Sequence, residues 1–406
     1  MDKKIITEPE DDIAVACLLN SMDPTTHVTT VYGDDWQSET TSIGSSLYRG
    51  LEENGRRYQT LSHKEYMIPS DAKQFETYEA GHLVALVMDS DHDNPLFRAP
   101  VKDPKHILDL GTGLATVRGV DLFPPPVTWV PPNCILEVDN IAEEWTWNEP
   151  QDLIHMRIMI GSFDDAEWTR VYQQCYEYVP AISLSAPPPL FLSFSPFPCP
   201  HLIKNQNSNI RPGGWIEQLE ASPYIECDDD SLPADNILRT WGPALSACGK
   251  RAGRPLETID MMQDAFRKAG FVDICEKEYK WPIGPWARDQ RYKEAGTVNY
   301  QHWMSGMEGW AMWLLCKFGA PEPWSHDEVI VYVAKLRAEL QKSRYHVYER
   351  ARRVWARKPF PEEIAERERA EANERAMANQ RAEANQRAEA NQRAAVKTEE
   401  AVKIEE

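Results

Sequence analysis

Basic charge is in short supply: 44 Lys and Arg stand against 64 Asp and Glu, a formal net charge of −20. Proteins that grip phosphate backbones gather lysine and arginine on one face, so nucleic acid is disfavoured as a direct partner. Paired cysteines are missing as well. The eight cysteines (Cys17, Cys134, Cys175, Cys199, Cys227, Cys248, Cys275 and Cys316) are scattered, with no CxxC pair and no clustered histidines. That spacing argues against a disulfide frame and a zinc site and reads as reduced packing thiols; no metal is expected. Nor does any uninterrupted apolar run approach the roughly 20 residues of a membrane helix. The expectation is a soluble protein of the cytoplasm or nucleus, with no membrane partner.

What is present is an α/β alternation inside a chain of 406 residues. Residues 1–44 are acidic and lack sustained periodicity, which predicts a disordered lead-in. Residues 45–105 are expected to form a helical layer, with Asp71 capping a helix that carries Phe75, Tyr78, Leu83 and Leu86. Strand candidates then follow at Ile107 to Leu110, Val117 to Leu122, Ile135 to Val138, Leu153 to Met156 and Trp215 to Leu219, the first, second and fourth being short apolar runs. Helices are predicted over Asp164 to Tyr178 and Asp260 to Ala269, and a further strand over Val272 to Cys275. This alternation marks a doubly wound sheet over residues 106–280. Residues 180–209 interrupt it with seven prolines and the run APPPLFLSFSPFPCP, an inserted excursion foreign to a compact domain. Residues 281–359, with six tryptophans between Trp281 and Trp324 (Trp281, Trp286, Trp303, Trp310, Trp313 and Trp324), are expected to form a helical cap and the end of the core. Residues 360–406 repeat ERAEAN-like hexads. A period of six keeps no single apolar face, so a solvated helical tail is expected.

The run ILDLGTG (Ile107 to Gly113) carries the chemistry. An apolar strand ending in an aspartate and two alternate glycines is how a nucleotide-type cofactor loop begins. A dinucleotide fingerprint would place Gly or Ala at position 116, which is Thr116. Asp109 would also repel a pyrophosphate, whereas the ammonium and sulfonium of S-adenosylmethionine would attract it. Gly111 and Gly113 let the backbone pass close to such a ligand. Asp121 would then accept from the ribose hydroxyls, and Asp139 would sit near the adenine rim. His155 is the candidate catalytic residue, placed to contact the methyl acceptor with Arg157 beside it; Glu217, Glu220, Tyr300 and His302 are weaker candidates. Methyl transfer is an in-line displacement at an activated sulfonium, so positioning is the main requirement.

At these residues the chain resembles the LaeA-like fungal methyltransferases. The matching pieces are LEENGRRYQ (Leu51 to Gln59), ILDLGTG, VRGVDL, WVPPNC (Trp129 to Cys134), EVDNIAEEW (Glu137 to Trp145), DLIHMR (Asp152 to Arg157), RPGGWIEQLE (Arg211 to Glu220) and the late run from Trp281 to Pro359. The resemblance implies a class I, Rossmann-like fold with a seven-stranded, mostly parallel sheet and S-adenosylmethionine as cofactor. It further implies a link to the control of secondary metabolism, with velvet-type regulatory proteins as partners. Two features depart from the family pattern. Where the family continues DLGTGTGIW into a full helix, this chain has LAT, so the first crossover helix is missing; residues 180–209 are the second departure. A dropped segment beside a proline-rich insertion is what a mis-assembled gene model would give, and transcript reads across both junctions decide it. Two functions follow from the sequence: an active methyltransferase, or a catalytically impaired methyltransferase-like scaffold.

Overall fold

A computed structural model describes residues 50–61, 65–113, 118–124, 133–147, 149–176 and 209–405. The acidic lead-in, the LAT link, most of WVPPNC and all but Asn209 of the proline-rich run therefore lie outside the described residues.

The chain enters on a hairpin, β1 (Leu51–Glu53) and β2 (Arg56–Tyr58), where a helical layer was expected. Asn54 and Gly55, both at positive φ (51° and 72°), make the two-residue turn that this dipeptide favours in hairpins. Arg56 then reaches Asp71 through two hydrogen bonds, Nε to Oδ2 at 2.7 Å and Nη2 to Oδ1 at 2.8 Å. Asp71 also caps α1 (Ala72–Met88) by accepting from the Gln74 amide. One carboxylate thus ties the hairpin to the first helix.

The central sheet contains β3 (Ile107–Leu110), β4 (Arg118–Asp121), β5 (Ile135–Val138), β6 (Gln151–Arg157), β7 (Ile210–Ala221), the two-residue β8 (Glu226–Cys227), β9 (Val272–Pro282) and β10 (Val347–Arg357). Their spatial order is β5-β4-β3-β6-β7-β10, with β8 and β9 both paired to β10. The first five in space run parallel, while β10 enters antiparallel between β7 and β9. Numbered along the chain, the seven long strands read 3-2-1-4-5-7-6. Seven residues, 111 to 117, separate β3 from its parallel neighbour β4. That is short of the dozen or so that a crossover helix takes.

Helices cover both faces. On one lie α2 (Asp165–Tyr176) and α4 (Met262–Ala269), whose Trp168, Val171, Tyr172 and Phe266 pack on Leu108, Leu110, Ile154 and Met156. On the other, α1 and α5 (Gln290–Phe318) lie over Leu219, Ala221, Tyr279 and Ala351. Beyond the sheet, α3 (Trp241–Arg251), α5 and α6 (His326–Leu340) share a second core around Trp241, Trp303 and Trp313. Trp281 belongs to β9 rather than to that helical group, and β10 was not legible as a strand. Its run YERARRVWAR looks too charged for a sheet centre. Arg353 sits there because Asp89 (3.0 Å) and Glu217 pair with it, and it is 1% exposed. Residues 358–406 form a separate unit that contains the helix α7 (Pro361–Glu405); none of the helix's side chains described, through residue 388, is buried. No helix among the described residues is long and apolar enough to cross a membrane.

Candidate functional site

In an open parallel sheet, ligands bind outside the carboxyl ends of the strands where strand order reverses. Here that point falls between β3 and β6, and the best-formed cavity among the described residues opens there, at ≈ 1010 Å³ including its mouth. Asp109, Gly111, Gly113, Asp121 and Asp139 all line it, supplied by the ends of three adjacent strands.

Each is held for a local reason. Gly111 and Gly113 have φ of +68° and +55°, a backbone that favours glycine, and a Cβ on Gly111 would lie 2.4 Å from Met159 Sδ. The amides of Gly111 and Thr112 both donate to the Val120 carbonyl (2.8 and 3.1 Å), which folds the turn back onto β4. Asp121 accepts from the Gly113 amide (2.9 Å) and from its neighbour Leu122 (2.7 Å). Burial raises the Asp121 carboxyl above its ordinary range, with these donors working the other way. Asp109 accepts from Thr112 Oγ1 (3.0 Å) and from His155 Nδ1 (2.8 Å). Burial pushes the Asp109 carboxyl up, but the His155 hydrogen bond and the charges of His155 and Arg157 outweigh it, so it lies below the usual carboxylate range. Asp139 is exposed at the rim.

His155, expected to meet the acceptor, does not reach the lining. Its lateral partner across β3 is Asp109, so the ring is spent holding that carboxylate from the neighbouring strand, with Nδ1–H donating; Nε2 is buried without a described partner. Arg157, two residues on and on the same face, does line the cavity. Glu217 and Glu220 are structural. Glu217 accepts from the Arg98 and Ala99 amides and pairs with Arg353, and Glu220 accepts from the Met159 amide and Gln218. Tyr300 is off the lining, while His302 is on it.

Apart from His302, sequence reasoning passed over the roof of the cavity. Tyr78, Gly81 and His82 of α1 and His302 of α5 face the strand ends, with His302 Nδ1 donating to the Thr77 carbonyl at 2.8 Å. Tyr66 and Ser162, 3.3 Å apart between oxygens, close another side. The available signal was the i, i+4 pair Tyr78 and His82, which share one face of α1. Between floor and roof, Ile158 holds φ at +51°, a strained value for a β-branched residue, on the loop that carries Met159 to the glycine turn.

No protein-family model matches the chain. Among characterised proteins, the methyltransferase pytC of Aspergillus terreus is 28% identical over 342 residues, covering 80% of this chain and 93% of that protein. The secondary metabolism regulator LAE1 of Cochliobolus heterostrophus is 28% identical over 327 residues, covering 76% of this chain and 94% of that one. Among solved structures, Haemonchus contortus phosphoethanolamine N-methyltransferase 2 in complex with S-adenosyl-L-methionine overlays at a TM-score of 0.33 and 14% identity, over 73% of this chain and 54% of that one. The relatives agree with the strand order on the class, a class I methyltransferase. Within that class the chain is similar to the LaeA-like fungal group, whose members align with it along most of its length at 26–28% identity.

Proposed function

We propose that the cavity between the strand ends and the α1–α5 roof is where this protein binds its methyl donor and passes the methyl group to an acceptor of secondary metabolism. The observation that carries this reading is the convergence of Asp109, Asp121 and Asp139 on one cavity beside a glycine turn. Asp109 offers a buried, ionised carboxylate to the donor's cationic end, and His155 with Thr112 holds it in place. The Gly111–Gly113 turn leaves room that a Cβ would fill, so the backbone itself becomes the floor for the methionine portion. Asp121, at the end of the next strand, meets the ribose hydroxyls, and Asp139 marks the adenine rim. S-adenosylmethionine when bound supplies an activated methyl on a good leaving group, so the protein's part is to align donor and acceptor and to exclude water.

Calorimetric titration with S-adenosylmethionine and S-adenosylhomocysteine tests this. Micromolar binding is expected. The competing reading, a methyltransferase-like scaffold, is favoured by the seven-residue link between β3 and β4. It predicts no heat at millimolar ligand, and that outcome would sink the enzyme.

A further inference from the structure

We infer that the acceptor side of this cavity is built for an acidic oxygen of the carboxylate class, held by Arg157 and contacted from above by His82, so that the protein O-methylates an acceptor that arrives already ionised. This rests on the donor reading above and adds the substrate class.

The first support is a cation without an anion. Arg56, Arg98 and Arg353 are each paired with carboxylates. Arg157 lines the cavity, yet makes no hydrogen bond or ion pair with a described residue. The nearby carboxylate that acts on it, Asp109, is already spent on His155 and Thr112. The half-buried Arg157 guanidinium therefore turns a fork of free donors to the cavity, and a planar anionic oxygen pair is what that fork fits.

The second support is His82. Its Nδ1 is buried with no described partner, although the residue is on the lining. An orphaned buried ring nitrogen beside a guanidinium calls for a ligand oxygen. Burial, reinforced by the charge of Arg157, takes His82 down to about 3, so at neutral pH it is an uncharged hydrogen-bonding group.

The third support is the lack of a base on the roof. Burial takes His302 down to about 4, with its Nδ1–H donating to Thr77, and pushes Tyr66 up to about 12. Asp121 and Asp139 belong to the donor side. No roof histidine can therefore take a proton from a weakly acidic hydroxyl or from an ammonium at neutral pH. An ammonium would also meet Arg157. An ionised oxygen needs no base: its lone pair forms the O–C bond while the C–S bond breaks and its electron pair stays on sulfur. One negative and one positive charge vanish together, a change favoured in a site shielded from water.

The test uses the full chain loaded with S-adenosylhomocysteine, titrated calorimetrically with benzoate and with benzyl alcohol and benzylamine as neutral and cationic counterparts. Benzoate is expected to bind at least about tenfold tighter than either. Arg157→Met should remove that preference, Arg157→Lys should retain part of it, and His82→Phe should weaken benzoate; all three should keep S-adenosylhomocysteine affinity within about threefold of wild type. Intact S-adenosylhomocysteine binding without a preference for benzoate overturns this inference alone. So does an Arg157→Met variant that loses S-adenosylhomocysteine by the same factor, since the guanidinium would then serve the donor's own carboxylate. A wild-type chain that binds no S-adenosylhomocysteine is seen before any acid is added, and it overturns the donor reading together with this one.

Discussion

Replacing Asp109 by Asn keeps the shape of the site and deletes its charge. The carboxylate is 5% exposed, with its oxygens committed to His155 and Thr112. An amide can still accept from His155 through its oxygen and donate to Thr112 through its nitrogen, so packing is conserved. What disappears is the attraction for the donor. S-adenosylmethionine carries a cationic ammonium and a cationic sulfonium, whereas S-adenosylhomocysteine keeps only the ammonium. At an effective dielectric of about 20 and a separation of about 6 Å, each unit charge is worth roughly 3 kcal/mol, near a hundredfold in affinity. Asp109→Asn should therefore weaken both ligands, S-adenosylmethionine by at least about ten times more than its product. Parallel calorimetric titrations read the two affinities directly, and values within threefold of wild type for both would refute the argument. Thermal unfolding against pH supplies the control. Because the folded carboxyl lies below its unfolded value, its charge stabilises the fold above the ordinary carboxylate range, near pH 4. That contribution is lost as pH falls through the folded value, so wild-type and variant melting curves should converge on acidification.

Asp121→Ala removes the acceptor for the Gly113 and Leu122 amides as well as the proposed ribose contact; S-adenosylhomocysteine affinity should fall at least about tenfold, and a change under twofold counts against the assignment. Burial pushes the Glu220 carboxyl up to about 7, so the unfolded chain ionises first and wild-type stability should decline between about pH 4.3 and pH 7, by on the order of 3 kcal/mol. Glu220→Gln abolishes that decline, and a melting-temperature difference from wild type that stays flat across the interval would disprove it. Gly81→Ala gains about 1 kcal/mol of helix propensity but places a Cβ 2.8 Å from the His302 ring, so the melting temperature should drop as α1 and α5 are forced apart. A rise would mean that the roof is looser than its packing implies.

The seven-residue link bears on how the donor site is walled. A crossover helix would pack against the sheet beside the glycine turn, and its N-terminus would add backbone donors there. Here the turn is instead tied by the Val120 carbonyl and the Asp121 carboxylate. Met159 covers Gly111 from the β6 side, held there by the Glu220 hydrogen bond to its amide. The donor site thus depends more on the β6–β7 side of the crevice than on the strand that follows the glycines.

By itself the sequence determined what is written in local pattern. The edges of β3 and β5, the cap at Asp71 and the stop at Gly270 are set by apolar runs, side-chain acceptors and a left-handed residue (φ 104°) acting within a few positions. The acid-and-glycine set at three strand ends was equally visible, because a parallel sheet delivers successive carboxyl ends to one edge. Tertiary structure alone decided the rest. Arg353 makes β10 a central strand only because Asp89 and Glu217, distant in sequence, neutralise it. His155 became the support of Asp109 through lateral register across β3 and β6, which no spacing along the chain encodes. His82 and Arg157 met under one roof because α1 and α5 pack over the switch point, a proximity set by long-range packing rather than by period or motif.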